Sequence, residues 1–384
     1  MEDRGGPRID LGGQDFGQRY VERRSYGFPI TIIVLMILSG LIFGGYYFYT
    51  TSEIFGAYKT FYAKLGVDLP RTFETTRDNG RNLARLQREP CDIDALSRVS
   101  ADMERESYNR EAATILESFH RNCTSSPELM QRAFEIFTRI GDHKSALRIA
   151  DELVQSDPGD YDYRFMRGNA YERSKDYKLA LTDYISTLEL FTDLRKVDGS
   201  QFYQVSLMYD KLGRPCDAIG PLETYLSYNV AERQTAQITK LISEYSKKGN
   251  CAATYATGSA RLIIPPSNVV DVLINGARAR MIIDTGASSV VVTPEMAARA
   301  RINPDKSDLV DVKVAGGLMK QATGYAQSIK IADATASNVP ILIAVNSKDA
   351  FGAQVDGLLG MSFLSRFVAT LSPGLFELKP RTRN

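Results

Sequence analysis

A regular spacing of alanines constrains the fold of this chain more than any other feature. Four alanines recur at intervals of 34, 34 and 38 residues: Ala112, Ala146, Ala180 and Ala218. A period of this length indicates stacked helix–turn–helix units that bury their apolar sides against one another. We therefore predict a helical repeat domain over residues 91–250. The expected units are 93–126, 127–160, 161–198 and 199–232, with a capping helix near 233–248.

The third unit shows the clearest internal pattern. It reads Gly-Asn-Ala-Tyr over residues 168–171, then a short polar loop, then Tyr177, Ala180 and Tyr184 at helical spacing. This pattern resembles the tetratricopeptide repeat. The resemblance implies an all-α domain whose concave surface binds a protein partner or presents a substrate.

The four cysteines fall at the ends of predicted helices. Cys91 and Cys123 flank the first helix pair, and Cys216 and Cys251 flank the last repeat helix and the cap. Antiparallel helices bring such ends together, so we predict the disulfides Cys91–Cys123 and Cys216–Cys251 among the three possible pairings. The alternative is four buried free thiols.

An apolar run near the N-terminus predicts a membrane anchor. Residues 29–49 contain no charged side chain, and about twenty such residues cross a bilayer. Arg19, Arg23 and Arg24 precede the run, which favours a cytoplasmic N-terminus. We therefore predict a disordered cytoplasmic tail at 1–28 and a single-pass inner-membrane protein whose residues 50–384 are periplasmic or extracellular. A cleavable signal peptide is the alternative.

Two further sequence features lie within the apolar run and directly after it. Gly40 and Gly44 form a GxxxG spacing that can bring two helices together, although glycine is also simply common in membrane helices. Residues 50–90 are expected to form a helical stalk that leads to the repeats.

The pattern changes from helical to strand-like after a small, polar linker at residues 251–259. Residues 260–384 carry short β-branched runs with turn signals such as Asn275-Gly276, which predicts an all-β closed fold. Residues 358–367 are predicted to form the main helix or turn–helix of this domain. The whole chain is therefore expected to be multidomain.

One strand of this domain delivers a lone carboxylate to a tight turn. Met281, Ile282 and Ile283 are followed by Asp284, then by Thr285 and Gly286, then by another apolar strand. A buried acid is costly unless something stabilises it. Farther along, two large apolar residues and a glycine follow one another at 358–360.

The sequence Asp-Thr-Gly-Ala-Ser at 284–288, with Leu-Leu-Gly at 358–360, resembles the motifs of retropepsin-like (retroviral-type) aspartic proteases. The resemblance implies an aspartic endopeptidase in which Asp284 is catalytic. Because the chain has one such motif, it also implies a homodimer through the protease domain that acts on a peptide or protein substrate. The implied supporting residues are Thr285, Gly286, Ala287, Ser288, Leu358, Leu359 and Gly360. The implied flap tip is Gly316 and Gly317.

Other interpretations of these residues remain open. Asp284 could be a structural turn residue in a catalytically inactive, membrane-tethered repeat scaffold that only binds peptides, or dimerisation itself could be the function. Asp356 is a second acid near the motif, and we favour a turn role for it.

Composition narrows the function classes. The net charge is +1, from 47 basic and 46 acidic residues, which argues against a nucleic-acid-binding surface. His120 and His143 have no ligand partners at metal-binding spacing. We therefore predict no metal, no cofactor and no nucleic-acid partner.

Overall fold

The computed structural model describes residues 27–51, 59–62, 64–70, 73, 77–251, 256–314, 317–345 and 351–381. The chain forms two compact units, Met1–Phe61 with Asp68–Phe73, and Tyr62–Val67 with Glu74–Asn384. The predicted tail lies almost entirely outside the described residues, as do parts of the predicted stalk and linker.

The first described element is helix α1, Gly27–Thr51, and strands β1, Lys59–Tyr62, and β2, Val67–Pro70, follow. Between Ile32 and Tyr46 the side chains of α1 are described and exposed. Within the described residues, no helix has both the length and the apolar character needed to cross a membrane. The anchor and its orientation therefore stay predictions.

Eleven α-helices are described between residues 77 and 249. They are α2 Arg77–Arg88, α3 Ile93–Arg105, α4 Asn109–Asn122, α5 Pro127–Arg139, α6 His143–Ser156, α7 Tyr161–Arg173, α8 Tyr177–Leu190, α9 Gly199–Lys211, α10 Pro215–Ser227, α11 Val230–Arg233 and α12 Ala236–Gly249. Four antiparallel pairs, α3/α4 to α9/α10, begin at Ile93, Pro127, Tyr161 and Gly199. This confirms the predicted repeats, and the longer third interval holds a short 3-10 helix, Leu194–Lys196.

The turns inside the repeats recur with the same period. Ser107, Gly141, Lys175 and Gly213 all take a positive φ, between 65° and 75°, directly after the first helix of each pair. This left-handed conformation ends a helix and suits glycine best. An aspartate then caps the second helix in two of the units, where the Asp142 side chain accepts the Ser145 N–H at 3.1 Å and that of Asp176 accepts the Leu179 N–H at 3.4 Å.

Small residues let the paired helices approach. The four periodic alanines are all at most 1% exposed. At Gly168, a Cβ atom would lie 2.8 Å from the ring of Tyr184, so only glycine fits between α7 and α8. The repeat pattern therefore reflects side-chain volume as much as hydrophobicity.

Two disulfides tie the ends of the repeat domain. Cys91 bonds to Cys123 and Cys216 bonds to Cys251, which confirms both predicted pairings. The first joins the start of α3 to the end of α4, and the second joins α10 to the chain after α12.

The C-terminal part of the second unit is built from strands and two short helices. Its elements are β3 Ala260–Ile263, β4 Val269–Ile274, β5 Ala277–Ile283, β6 Val290–Val292, α13 Pro294–Arg299, β7 Asp305–Val314, β8 Gly317–Ile331, β9 Ala334–Ala344, β10 Gly357–Leu359, α14 Met361–Leu364, β11 Phe367–Ser372 and β12 Leu375–Pro380.

Seven of these strands form one sheet in the order β4-β5-β10-β6-β9-β8-β7, and β4 also pairs with β8. That extra pairing closes the sheet into a barrel, as the strand pattern predicts. Strands β11, β12 and β3 form a second sheet. The core inside the barrel includes Ile283, Val290, Ile341 and Leu359.

The predicted helix at 358–367 is mostly wrong. Leu358 and Leu359 belong to β10, which pairs in parallel with β5 and antiparallel with β6, and only Met361–Leu364 is helical. A short apolar run does not distinguish a buried strand from a buried helix by its periodicity. The strand is favoured here because its neighbours in the barrel supply its hydrogen bonds.

Gly360 ends β10 at a point with no room for a side chain. A Cβ atom there would lie 2.1 Å from the Ser289 carbonyl oxygen and 2.9 Å from the Ala287 carbonyl oxygen. These oxygens belong to the chain that follows Asp284, so Gly360 lets two backbone segments touch.

We expect Gly360→Ala to lower the free energy of unfolding by about 3 kcal/mol, because backbone must move to admit the methyl group. The control is Gly220→Ala in helix α10, where nothing lies within 4 Å of the new methyl group. That change should stabilise the protein by about 0.5–1 kcal/mol. Urea unfolding measures both, and equal tolerance of the two substitutions would contradict the packing described.

Replacing Cys216 and Cys251 by serine should lower the free energy of unfolding by about 2–4 kcal/mol, because the unfolded chain regains the entropy of a closed loop. The bond spans 35 residues of sequence. Urea titration under oxidising conditions measures the change. An unchanged midpoint would contradict the stabilising role assigned to this bond.

Candidate active site

The predicted catalytic aspartate lies at the end of β5, in a loop held by its neighbour β10. The Asp284 N–H donates to the Leu359 carbonyl at 3.2 Å, which continues the pairing of the two strands. The Gly286 N–H donates to Asp284 Oδ1 at 2.8 Å and closes a tight turn. Asp284 is half-buried, whereas Thr285 and Gly286 are exposed. The loop therefore presents its tip to solvent on a fixed base.

The residues after the turn are supported from behind, as the resemblance implies. The Met361 N–H donates to the Ala287 carbonyl at 2.8 Å, and Ser362 Oγ accepts the Val290 N–H at 2.9 Å. Leu359 is fully buried in the barrel core. Leu359 and Gly360 thus lie behind the Asp284 loop, and their role in supporting catalysis stays a prediction.

Leu358 lies on the opposite face of β10 from Leu359, and its predicted supporting role stays a prediction. Because successive residues of a strand point to opposite faces, Leu358 faces outward when Leu359 faces the core. It packs beside a cluster on the outer face of the sheet formed by Val291, Val310, Val312 and Leu342. We call this group the outer-face cluster.

The predicted flap corresponds to the β7–β8 hairpin. Val314 pairs with Gly317, and Val314 packs against the outer-face cluster. Gly317 is exposed and has a φ of +118°. Gly316 lies outside the described residues, so the tip itself stays a prediction.

Asp356 has the structural role that the sequence favours. Its carboxylate accepts the Arg280 N–H at 2.8 Å and lies 2.6 Å from Arg299. Its carbonyl accepts the Thr293 N–H at 2.9 Å. Asp356 therefore ties the start of β10 to its neighbours.

A helix of the repeats covers the outer face of the sheet. Ile185 of α8 packs against the outer-face cluster. The next residue, Ser186, is fully buried and accepts the Asp311 N–H on its Oγ at 3.1 Å. Helix α8 therefore contacts β7, the first strand of the flap hairpin.

The same helix reaches the loop that follows Asp284. The Ser289 hydroxyl donates to Glu189 Oε1 at 2.6 Å. Burial raises the pKa of the Glu189 carboxyl, and hydrogen bonds from Ser288 and Ser289 offset part of that shift. Ser288 and Ser289 follow Asp284 closely in sequence, so this contact lies next to the candidate catalytic group.

Buried charges join α7, α8 and β7. Arg164 lies 3.4 Å from Asp183 and 2.6 Å from Asp311, and all three side chains are at most 7% exposed. Arg167 adds a second bond to Asp183 at 2.7 Å. Removing one member of such a buried set typically costs about 3–5 kcal/mol, because the remaining charge loses its partner. The network therefore fixes β7 against the repeats.

The contact continues along β8 and α14. Arg214 lies over the rings of Tyr209 and Tyr325, 5.0 Å and 4.5 Å from their centres. The hydroxyls of Thr224 and Ser365 are 3.1 Å apart. A cavity of about 90 Å³ remains between helices α8–α10 and the barrel, with Ser288 and Ser289 in its wall.

Sequence reasoning did not identify Glu189, Asp183 or Arg164. Each is a charged residue within a helix that the repeat pattern predicts to be packed. Glu189 stands between Leu188 and Leu190, and such a carboxylate amid apolar neighbours needs a partner. The sequence could therefore have indicated that Glu189 has a polar partner, but not that the partner is Ser289.

Comparison with known proteins identifies the barrel domain. Residues 270–363 match the sequence model of a family described as "Aspartyl protease". The matched range contains Asp284, the flap hairpin and Leu358–Gly360. No curated protein matches the chain.

Several solved structures resemble parts of the chain. A retropepsin-like aspartic protease from Rickettsia conorii is 22% identical to this chain, with a TM-score of 0.25. The similar region covers 32% of this chain and 90% of the Rickettsia protein. MamA from Desulfovibrio magneticus RS-1 is 18% identical over 41% of this chain and 84% of its own, with a TM-score of 0.34. YrrB, titled a TPR protein with an unusual peptide-binding site, is 15% identical to this chain. The similar region covers 46% of this chain and 88% of the YrrB chain, with a TM-score of 0.35.

Three findings support one assignment of the domains. They are the family match, the position of Asp284 at the end of β5, and the four helix pairs. The C-terminal barrel is a retropepsin-like aspartyl protease domain, and the helices before it are tetratricopeptide-like repeats.

Proposed function

We propose that this protein is an aspartic endopeptidase that hydrolyses peptide bonds with a water molecule activated by two Asp284 carboxylates, one from each copy of a homodimer. Two adjacent carboxylates share one proton. The ionised one takes a proton from water, while the protonated one polarises the scissile carbonyl.

The observation that carries this proposal is the catalytic loop itself. Asp284 stands on a base clamped by Leu359 and Gly360, and the two residues after it are exposed. A rigid base with an open tip suits a group that must meet a second carboxylate at a defined distance. Asp356, the other acid of the motif region, is held by Arg280 and Arg299.

A homodimer supplies the second carboxylate. In a two-fold interface the same surface is used by both copies, so the exposed Thr285 and Gly286 of one loop face those of the other. We assign Thr285 the role of holding the two loops together through hydrogen bonds across the axis, and Gly286 that of allowing close backbone approach.

We also propose that residues 29–49 anchor the enzyme in the inner membrane, with the repeats and the protease domain outside the cytoplasm. The uncharged run and the preceding arginines support this orientation. The two disulfides fit an oxidising compartment. Anchoring raises the effective concentration of the copies and so favours the dimer. The repeats then bind substrate or a protein partner.

Replacing Asp284 by asparagine should abolish peptide cleavage, because an amide cannot take the proton from water. A peptide-library cleavage assay in mild acid, with and without a pepstatin-type inhibitor, measures this. The matched control is Asp271→Asn, the same chemical change at an exposed residue of β4, which should cleave like the wild type.

Cleavage that survives in the Asp284→Asn protein would refute the catalytic assignment. A wild-type protein that binds peptides without cutting any of them would instead indicate a catalytically inactive peptide-binding scaffold.

Mixing the wild-type and Asp284→Asn proteins tests the dimer directly. After exchange of subunits in an equal mixture, about a quarter of the dimers carry two aspartates, so activity per total protein should fall to about a quarter. Chains that act independently would retain about half. The control mixture uses Asp271→Asn and should keep full activity.

A further inference from the structure

We propose that helix α8 of the repeats is a built-in inhibitor of the protease site, which occupies the sheet face where a peptide substrate binds beside Asp284. Substrate binding then requires α8 to move away. This inference rests on the proposed function, because it concerns access to the same site.

Asp284 and the face covered by α8 lie on the same side of the sheet. Ile282 is in register with Leu358, Leu358 with Val291, and Val291 with Leu342. Residues in register point to the same side, so these four form one row on the outer face. Asp284 comes two positions after Ile282 and therefore continues along that side. A peptide that reaches the carboxylate must lie across this row.

Helix α8 already lies against this outer face of the sheet. Ile185 fills the outer-face cluster and Glu189, four residues later, reaches Ser289. Residues four apart stand on one face of a helix, so both contacts come from the same side of α8. This side presents an apolar group and an acceptor, which are the two kinds of group that a bound peptide also presents.

A hydrogen-bonding group beside Asp284 is already in use. The Ser289 hydroxyl donates to Glu189 and is not free for a substrate backbone while α8 is in place. Tyr228, which caps α10, also lies near the loop. The pKa of Tyr228 is raised mainly by burial. The negative charges of Glu189 and, to a smaller extent, of Asp284 raise it further.

The first strand of the flap hairpin, β7, is held by contacts with the repeats. Asp311 of β7 is 3% exposed and is bound by Arg164, while its N–H donates to Ser186. A flap that closes over substrate has to move. The buried ion network resists that motion until the α8 contact is released.

Inhibition and dimerisation use different parts of the loop. Thr285 and Gly286 remain exposed beside the covered face. The dimer can therefore form while α8 still blocks peptide, and a ligand on the repeats that draws α8 away would activate the site. The apparent affinity for peptide is reduced by the fraction of molecules in which α8 is displaced.

The test is peptide binding by the full-length chain with Ile185→Asp, which places a charge in the outer-face cluster. The probe is a statine-containing peptide inhibitor, measured by calorimetry. Because displaced states typically make up on the order of 0.1–10% of molecules, affinity should rise by about tenfold or more. The matched control is Ile140→Asp, a similarly half-buried isoleucine at the end of α5, which should bind like the wild type.

Unchanged or weaker binding by folded Ile185→Asp protein would overturn the proposal. Circular dichroism establishes folding. Should that variant not fold, Glu189→Ala decides, because it removes the hydrogen bond to Ser289. It should bind several-fold more tightly, and equal or weaker binding would refute the inference.

Cleavage measured on the same proteins separates this inference from the proposed function. Tighter inhibitor binding in chains that never cleave peptide would support the α8 inference and refute the hydrolytic function. Cleavage by the wild type with no gain in affinity for Ile185→Asp or Glu189→Ala would support the function and refute the inference.

Discussion

The pairing of β5 with β10 is the constraint on which the rest of the active site depends. Through this pairing the Asp284 N–H donates to the Leu359 carbonyl. The pairing ends at Gly360, where two backbone segments touch and leave no room for a Cβ atom. The loop therefore has a rigid base and an exposed tip. Such a base suits the proposed reaction, in which the carboxylates of two copies must meet at a defined distance.

The contact between the repeats and the barrel is built from buried polar groups as well as apolar packing. Arg164 and Asp183 belong to the repeats, and Asp311 belongs to the flap hairpin, yet they form one network. Buried ion pairs contribute little net stability but penalise misalignment strongly. The network therefore specifies where α8 lies, while Ile185 and the outer-face cluster supply the apolar burial.

Much of this architecture was predictable from the sequence. The repeat spacing gave the helix pairs, antiparallel packing gave both disulfides, and Asn275-Gly276 gave a hairpin whose two central residues have positive φ. The strand at Leu358 was missed because a short apolar run has no distinguishing period. The α8 contact was missed because a repeat pattern describes how helices pack with one another and contains no information on which exposed face meets another domain.

Hydrogen exchange in the Asp284→Asn chain, with and without a statine-containing peptide, tests most directly whether α8 and substrate compete for one face beside Asp284. The variant excludes cleavage during the measurement. The account predicts that peptide slows amide exchange over residues 284–292 and speeds it over residues 185–190 of α8. Protection of the catalytic loop with unchanged or slower exchange in α8 would contradict it.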